Sequence, residues 1–151
     1  MGLDMYLKGN YYVSKYSDAD LFEKLNKLDI PGKPDGAEAN EISCEVMYWR
    51  KANEIHQWFV DNVQNGVDDC GTYRVQNEDL RKLRDLCNEV LADHTKAKDL
   101  LPTQSGFFFG STDYDEYYFE SLKYTSENLT KILDSDMIKE HFWEFSYRSS
   151  W

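Results

Sequence analysis

Both ends of this chain read as strands, and a strand cannot stand alone, because its backbone N–H and C=O groups need partners alongside. The opening MGLDMYLKGNYYVSKY holds Met5, Tyr6, Leu7, Tyr11, Tyr12 and Val13, types that suit strands, interrupted by Gly9-Asn10. That dipeptide is a hairpin signal, so residues 3–16 are expected to form a hairpin or a single bent strand. The closing HFWEFSYRSSW sets Phe142, Glu144, Ser146 and Arg148 against Trp143, Phe145 and Tyr147, a period of two. Pairing the last strand with the first ties down both ends and makes a small antiparallel sheet the frame for everything between.

The intervening sequence changes period. Over residues 46–64 a helical projection puts Tyr48, Ala52, Ile55, Phe59 and Val63 on one stripe, with Arg50, Glu54, Gln57 and Asp61 opposite. Trp49, Asn53, His56 and Val60 form a flank at the edge of that stripe. A second helix takes Asn77 as its N-cap and turns Leu80, Leu83, Cys87, Val90, Leu91 and His94 inward, and Pro102 bars its continuation. A third begins at Thr112, with Asp113, Asp115 and Glu116 offsetting the positive end of its dipole and Tyr114, Tyr118, Leu122, Leu129, Ile132 and Leu133 facing inward. Between these two, Phe107 to Phe109 read as a short extended run bracketed by Gly106 and Gly110. A short amphipathic piece (Leu21, Phe22, Leu25, Leu28) follows a capped turn near Ser17, and two Pro and two Gly mark residues 29–40 as a surface loop.

These patterns predict one α+β domain over residues 1–151, with about three amphipathic helices packed on a small antiparallel sheet formed by the N- and C-terminal strands. A helical bundle with aromatic tails is the alternative. At 151 residues one core suffices.

Charge narrows the partners. The chain carries 17 basic and 28 acidic side chains, a net −11, which repels the phosphate backbone of nucleic acid and an anionic membrane surface alike. Eleven Tyr, eight Phe and four Trp supply an excess of flat side chains instead. Cys44, Cys70 and Cys87 show no CxxC spacing and read as reduced thiols. The opening residues hold no long apolar segment, and Tyr6 and Leu7 stand where a myristoylation signal needs Ser or Thr, so a cytoplasmic, unanchored protein is expected.

Four places carry candidate chemistry. Gly110-Ser111-Thr112 at a helix start resembles a phosphate cradle, but Asp113, Asp115 and Glu116 crowd the same turn and no Walker-type lysine follows. What remains is an aromatic and hydroxyl-lined surface, Phe109, Ser111, Thr112, Tyr114 and Tyr118, suited to stacking a planar group; the bland alternative is a capped helix after a core strand. The flank of Trp49, Asn53 and His56 beside Arg50 and Lys51 offers a possible acid or base, hydrogen-bond donors and anion contacts, although a lone His at a core edge is more often structural. The carboxylates Asp68, Asp69, Asp113, Asp115, Glu116 and Glu120 fit no EF-hand spacing, so no metal site and no cofactor is expected. Cys70 with His56 is the one pairing to name for thiol chemistry, against buried inert cysteines as the simpler reading, and no catalytic residue is assigned.

The stretches VMYWRKANEIHQWFVDNVQNGVDDC and LLPTQSGFFFGSTDYDEYY, with the opening MGLDMYL, resemble a family of small uncharacterised proteins of bacteriophages and prophages, essentially end to end. The resemblance implies a viral protein acting in a bacterial cytoplasm, with residues 29–40 as the family's variable loop. It transfers no functional residue.

Taken together, the expectation is an accessory protein that binds a small planar ligand, a nucleotide or nucleotide-derived signal, in a pocket lined by Trp49, His56, Phe109 and Tyr114, and so counters a host defence. The alternatives are an acidic inhibitor of a host protein, using the nine acids against four bases of residues 101–151, and a small hydrolase built on His56, which lacks a nucleophile elbow or phosphate loop. Exposed aromatics leave room for a homodimer.

Overall fold

The computed structural model describes residues 2–151 and shows helices packed on one four-stranded antiparallel sheet. Its strands are β1 (Asp4–Tyr12), β2 (Glu41–Arg50), β3 (Thr72–Val75) and β4 (Glu144–Ser150), in the order β2-β1-β4-β3. The helices are α1 (Ala19–Asn26), α2 (Asn53–Asn62), α3 (Asn77–Ala92), α4 (Ala97–Leu100), α5 (Glu116–Asp134) and α6 (Asp136–Lys139). None is long and apolar enough to cross a membrane, among the described residues.

The α+β class and the pairing of the two ends hold: β1 and β4 are neighbours, with Leu7 opposite Tyr147 and Met5 opposite Ser149. The sheet is broader than its ends, because β2 and β3 from the middle of the chain flank that central pair. Alternation then decides what is inside. Met5, Leu7, Met47, Trp49, Val75, Phe145 and Tyr147 all turn to one buried face, against which the core residues of α2, α3 and α5 pack. A face of that kind is the main source of stability in a domain this size, at about 25 cal/mol per Å² of apolar surface removed from water.

Three expectations are decided or corrected, each for a physical reason. Of the hairpin and the single bent strand expected over residues 3–16, the bent strand is found: Gly9-Asn10 lies within β1, and the glycine serves close packing. A Cβ on Gly9 would lie 2.9 Å from Met137 Cε and 3.2 Å from Trp143, so the bare backbone lets the Met137 side chain of α6 and the Trp143 ring sit close there. The strand does bend, through a register shift between Leu7 and Lys8 that leaves Val46 of β2 unopposed.

The helix expected over residues 46–64 is a strand followed by a shorter helix. Val46 to Arg50 satisfy a period of two as well as one of 3.6, and β1 needs a partner on its outer side, so pairing wins and Tyr48 faces outward. Lys51 then turns the chain with a left-handed φ of 56°, its N–H held by Leu3 O at 2.8 Å, before α2 starts. Phe107 to Phe109, expected to be extended, form a tight turn in which Phe108 has φ 62° and its carbonyl accepts from Leu3 N. Phe109 is buried while Phe107 is 81 % exposed.

The other helices shift at their starts, and α3 also ends before His94. The α3 cap is Gln76, whose N–H donates to Asp79 Oδ2 at 3.0 Å, one residue before Asn77. The α5 cap is Asp115, accepting from Tyr118 N at 3.1 Å, so Thr112, Asp113 and Tyr114 lie in an irregular approach segment. His94 leaves α3 for a following 3-10 turn (His94–Lys96) and stacks on Phe119 with ring centres 3.7 Å apart. Asn26 at the end of α1 closes the 29–40 loop, its amide exchanging hydrogen bonds with both the N–H and C=O of Ala39.

Candidate functional site: a cleft where β2 hands over to α2

The break between β2 and α2 leaves a cleft of about 600 Å³. One wall is the end of β2 and the turn after it, from Tyr48 to Ala52; the second is the segment from Gly110 to Asp115; the third is the first half of α5, with Tyr117, Tyr118, Ser121 and Tyr124. Glu54, in the first turn of α2, lies at the floor.

Asn53 sets the second wall. Its Nδ2 donates to Phe109 O at 3.0 Å and Ser111 O at 2.9 Å, while its Oδ1 accepts from Gln104 N at 2.9 Å. One buried amide thus staples residues 104–111 to the start of α2, and losing it would orphan three backbone groups. Gly110 completes the fit: its φ is 90°, and a Cβ there would stand 3.0 Å from Lys51 Cβ. Side chains are excluded from that position on two counts.

The third wall is fixed through Trp49. Its Nε1–H donates to Thr125 Oγ1 at 2.8 Å, and that hydroxyl donates onward to Ser121 O at 2.7 Å. Tyr124 stands edge-on to Trp49 and its hydroxyl accepts from Tyr48 N at 3.4 Å, which gives a partner to a backbone donor on the sheet's outer strand. Tyr118 is anchored by donating to Leu101 O at 2.7 Å.

Glu54 is the unusual member. It is 4 % exposed, and its Oε1 accepts from Ser121 Oγ at 2.6 Å. Burial disfavours the charged form and lifts its pKa to about 7, with Asp115 adding to the rise and the Ser121 bond opposing it. The cleft therefore has two cations at its rim, Arg50 and Lys51, against Asp113, Asp115 and Glu120, with a carboxyl beneath that titrates near neutrality. Arg50 reaches Asp4 only at 3.9 Å and stays largely exposed, so that ion pair holds it weakly.

His56 points elsewhere. It is fully buried, with Nδ1 2.6 Å from Tyr147 Oη and Nε2 3.0 Å from Asp68 Oδ2, and Trp151 Nε1 donates to the other Asp68 oxygen at 3.0 Å. Asp68 can only accept when ionised, so the network assigns the imidazole proton to Nε2 and makes Tyr147 the donor to Nδ1. Burial, then the Asp68 charge, push the Tyr147 hydroxyl well above its ordinary pKa and keep that proton in place. Phe59 stacks on Tyr147 at 3.9 Å and covers its ring.

Of the residues singled out from sequence, Trp49, Arg50, Lys51, Ser111 and Tyr118 line the cleft, and Asn53, His56, Phe109, Thr112 and Tyr114 do not. Phe109 packs edge-on to His56 in the core, Thr112 gives its carbonyl to Thr103 Oγ1, and Tyr114 accepts from Thr103 N with Lys98 5.7 Å over its ring. Trp49, His56, Phe109 and Tyr114 do not converge on one cavity: Trp49 lines the cleft, His56 and Phe109 share the core, and Tyr114 lies outside the cleft, bonded to Thr103. Glu54, Ser121, Tyr117 and Tyr124 went unnoticed as a group. Glu54 in particular projects to a solvent face when the helix is started too early, and the period-two run from Val46 to Trp49 is the signal that moves the helix start. The chain matches no protein-family model, no curated protein and no solved structure.

Proposed function

We propose that the protein is an accessory binding protein that holds a small planar ligand, a nucleotide or nucleotide-derived signal, in the cleft between β2 and α5, and so blunts a host defence. One observation carries the ligand class: a single cleft of about 600 Å³ has aromatic side chains on two walls, polar groups at its floor, and Arg50 and Lys51 at its rim. Ring faces favour stacking of a base, and Arg50 and Lys51, on the β2 wall, are the contacts for an anionic tail, with the carboxylates Asp113, Asp115 and Glu120 on the other two walls. The host-directed role rests on the resemblance to phage proteins. His56, on which a hydrolytic role would depend, is buried and bonded at both nitrogens, which favours binding over chemistry.

Thermal unfolding against a panel of nucleosides, nucleotides and cyclic nucleotides tests this directly. A true ligand at about one hundred times its Kd adds about 2.7 kcal/mol and raises Tm by several degrees. Lys51→Ala should weaken a phosphorylated ligand more than its nucleoside. No stabilisation by any member at millimolar concentration overturns the proposal.

A further inference from the structure

The floor of the cleft says more about the ligand than its walls do. Glu54 is almost wholly buried, yet only Ser121 among the described side chains donates to it. An ionised carboxylate offers about four acceptor sites, of which the Ser121 hydroxyl and the residue's own backbone N–H use two, and the residue lines the cleft. No arginine or lysine bonds to it in compensation, although Arg50 and Lys51 line the same cleft. A buried acid without paired donors is costly, and a ligand that brings donors relieves that cost.

Building on the binding function proposed above, we infer that Glu54 selects a planar ring with two adjacent N–H donors, the amidine edge of a guanine or a 2-aminopteridine, held edge-on to its carboxylate with ring faces against the aromatic walls. Guanine offers N1–H and N2–H side by side, matching both carboxylate oxygens. Adenine sets an acceptor beside its N6–H and leaves one oxygen facing a lone pair. Hypoxanthine keeps N1–H and lacks the second donor. A site built for the pair discriminates strongly against rings that lack it, because its buried acceptor is then unpaired.

Binding draws on the ionised form and is therefore proton-linked. Around Glu54 stand Arg50 and Lys51 from the end of β2, Asp113 and Asp115 from the approach segment, Tyr117, Tyr118, Glu120 and Tyr124 from α5, and Cys87 from α3. Burial and the nearby Glu54 charge both push the Cys87 thiol up, so it stays neutral, and the same two causes raise Tyr118. Glu54 is the buried acid of this group that titrates at about 7.

The test is calorimetric titration of the whole chain with guanosine, inosine and adenosine, in wild type and Glu54→Gln. Guanosine should bind roughly tenfold or more tighter than either of the others, a margin in keeping with the loss of one buried hydrogen bond. Glu54→Gln should invert the order, because a carboxamide presents the donor and acceptor that adenine's edge complements; a merely structural Glu54 would not reverse a preference. With wild type, guanosine affinity should fall about tenfold per pH unit below 7 and level off above it, while adenosine affinity should rise below 7, where the protonated carboxyl offers the same donor and acceptor as a carboxamide. Equal binding of guanosine and adenosine, or an unchanged preference in Glu54→Gln, overturns this inference and leaves the planar-ligand proposal standing. Should the variant fail to fold by circular dichroism, a guanosine affinity that does not change with pH overturns it instead. Failure of all three nucleosides and of the nucleotide panel overturns both.

Discussion

Glu54 and His56 sit in the same turn of α2, both buried, and their surroundings could hardly differ more. His56 has a partner on each nitrogen, and those partners, Tyr147 and Asp68, are themselves held by Phe59 and Trp151. Glu54 has one hydroxyl donor and a cleft in front of it. A closed polar network of the first kind fixes one conformation and belongs to the fold. An open one of the second kind leaves an interaction unmade, and that unmade interaction is what a ligand can use. The residue type misleads here: the histidine looks like the functional group and the glutamate like a solvated helix face, yet satisfaction of hydrogen bonds separates the two.

The contrast can be broken by substitution. His56→Ala should be the most damaging change, costing about 4 kcal/mol in urea unfolding, since it opens a core cavity, leaves the buried Tyr147 hydroxyl without its acceptor and takes one of the two donors from Asp68. A loss under about 1 kcal/mol would mean that the closed network contributes little.

Glu54→Gln should act in the other direction. The Glu54 pKa is raised from 4.5 to about 7, so the native state binds the extra proton between those values and stability falls as pH rises through that window. Wild type should therefore lose up to about 3 kcal/mol relative to the Gln variant between pH 4.5 and 8, and the two should agree in acid. Parallel curves across that range would show that Glu54 is not desolvated.

Smaller effects sharpen the boundary of the cleft. Gly110→Ala should cost about 2 kcal/mol, from its left-handed φ and the close Lys51 backbone, with hydrogen exchange quickened mainly over residues 104–115. Ser121→Ala should cost about 1 kcal/mol and lift the Glu54 pKa further, because it removes the larger of the two hydrogen bonds that lower it. Tyr147→Phe in the closed network should leave the pH dependence between 4.5 and 7 unchanged.

Much of this architecture is legible without coordinates. The inner faces of α3 (Leu80, Leu83, Cys87, Val90) and α5 (Leu122, Leu129, Ile132, Leu133) follow one period with no competitor, and all these residues are buried. So are Phe145 and Tyr147 on the alternating strand β4. Residues 46–53 are harder because Val46-Met47-Tyr48-Trp49 obeys both periods, and only the need of β1 for an outer partner, a relation between distant segments, chooses the strand. The candidate cleft inherits that ambiguity, since its floor is defined by where β2 stops and α2 starts. Gly9 shows the same limit: a glycine that makes room for Met137 and one that makes a turn are written identically.

The pairing of β1 with β4 has a consequence for how the molecule is made. Asp4 lies opposite Ser150, and between them stretches nearly everything else. On a ribosome, β1 and β2 can pair as soon as residue 50 has emerged, but the centre of the sheet stays open until residue 150 does. During that interval one edge of β1 offers unpaired backbone and the apolar side chains Met5 and Leu7 to any neighbour. Nascent chains of this protein should therefore depend on chaperone cover until residue 150 has emerged, and refolding should be slower than its helix content alone would imply.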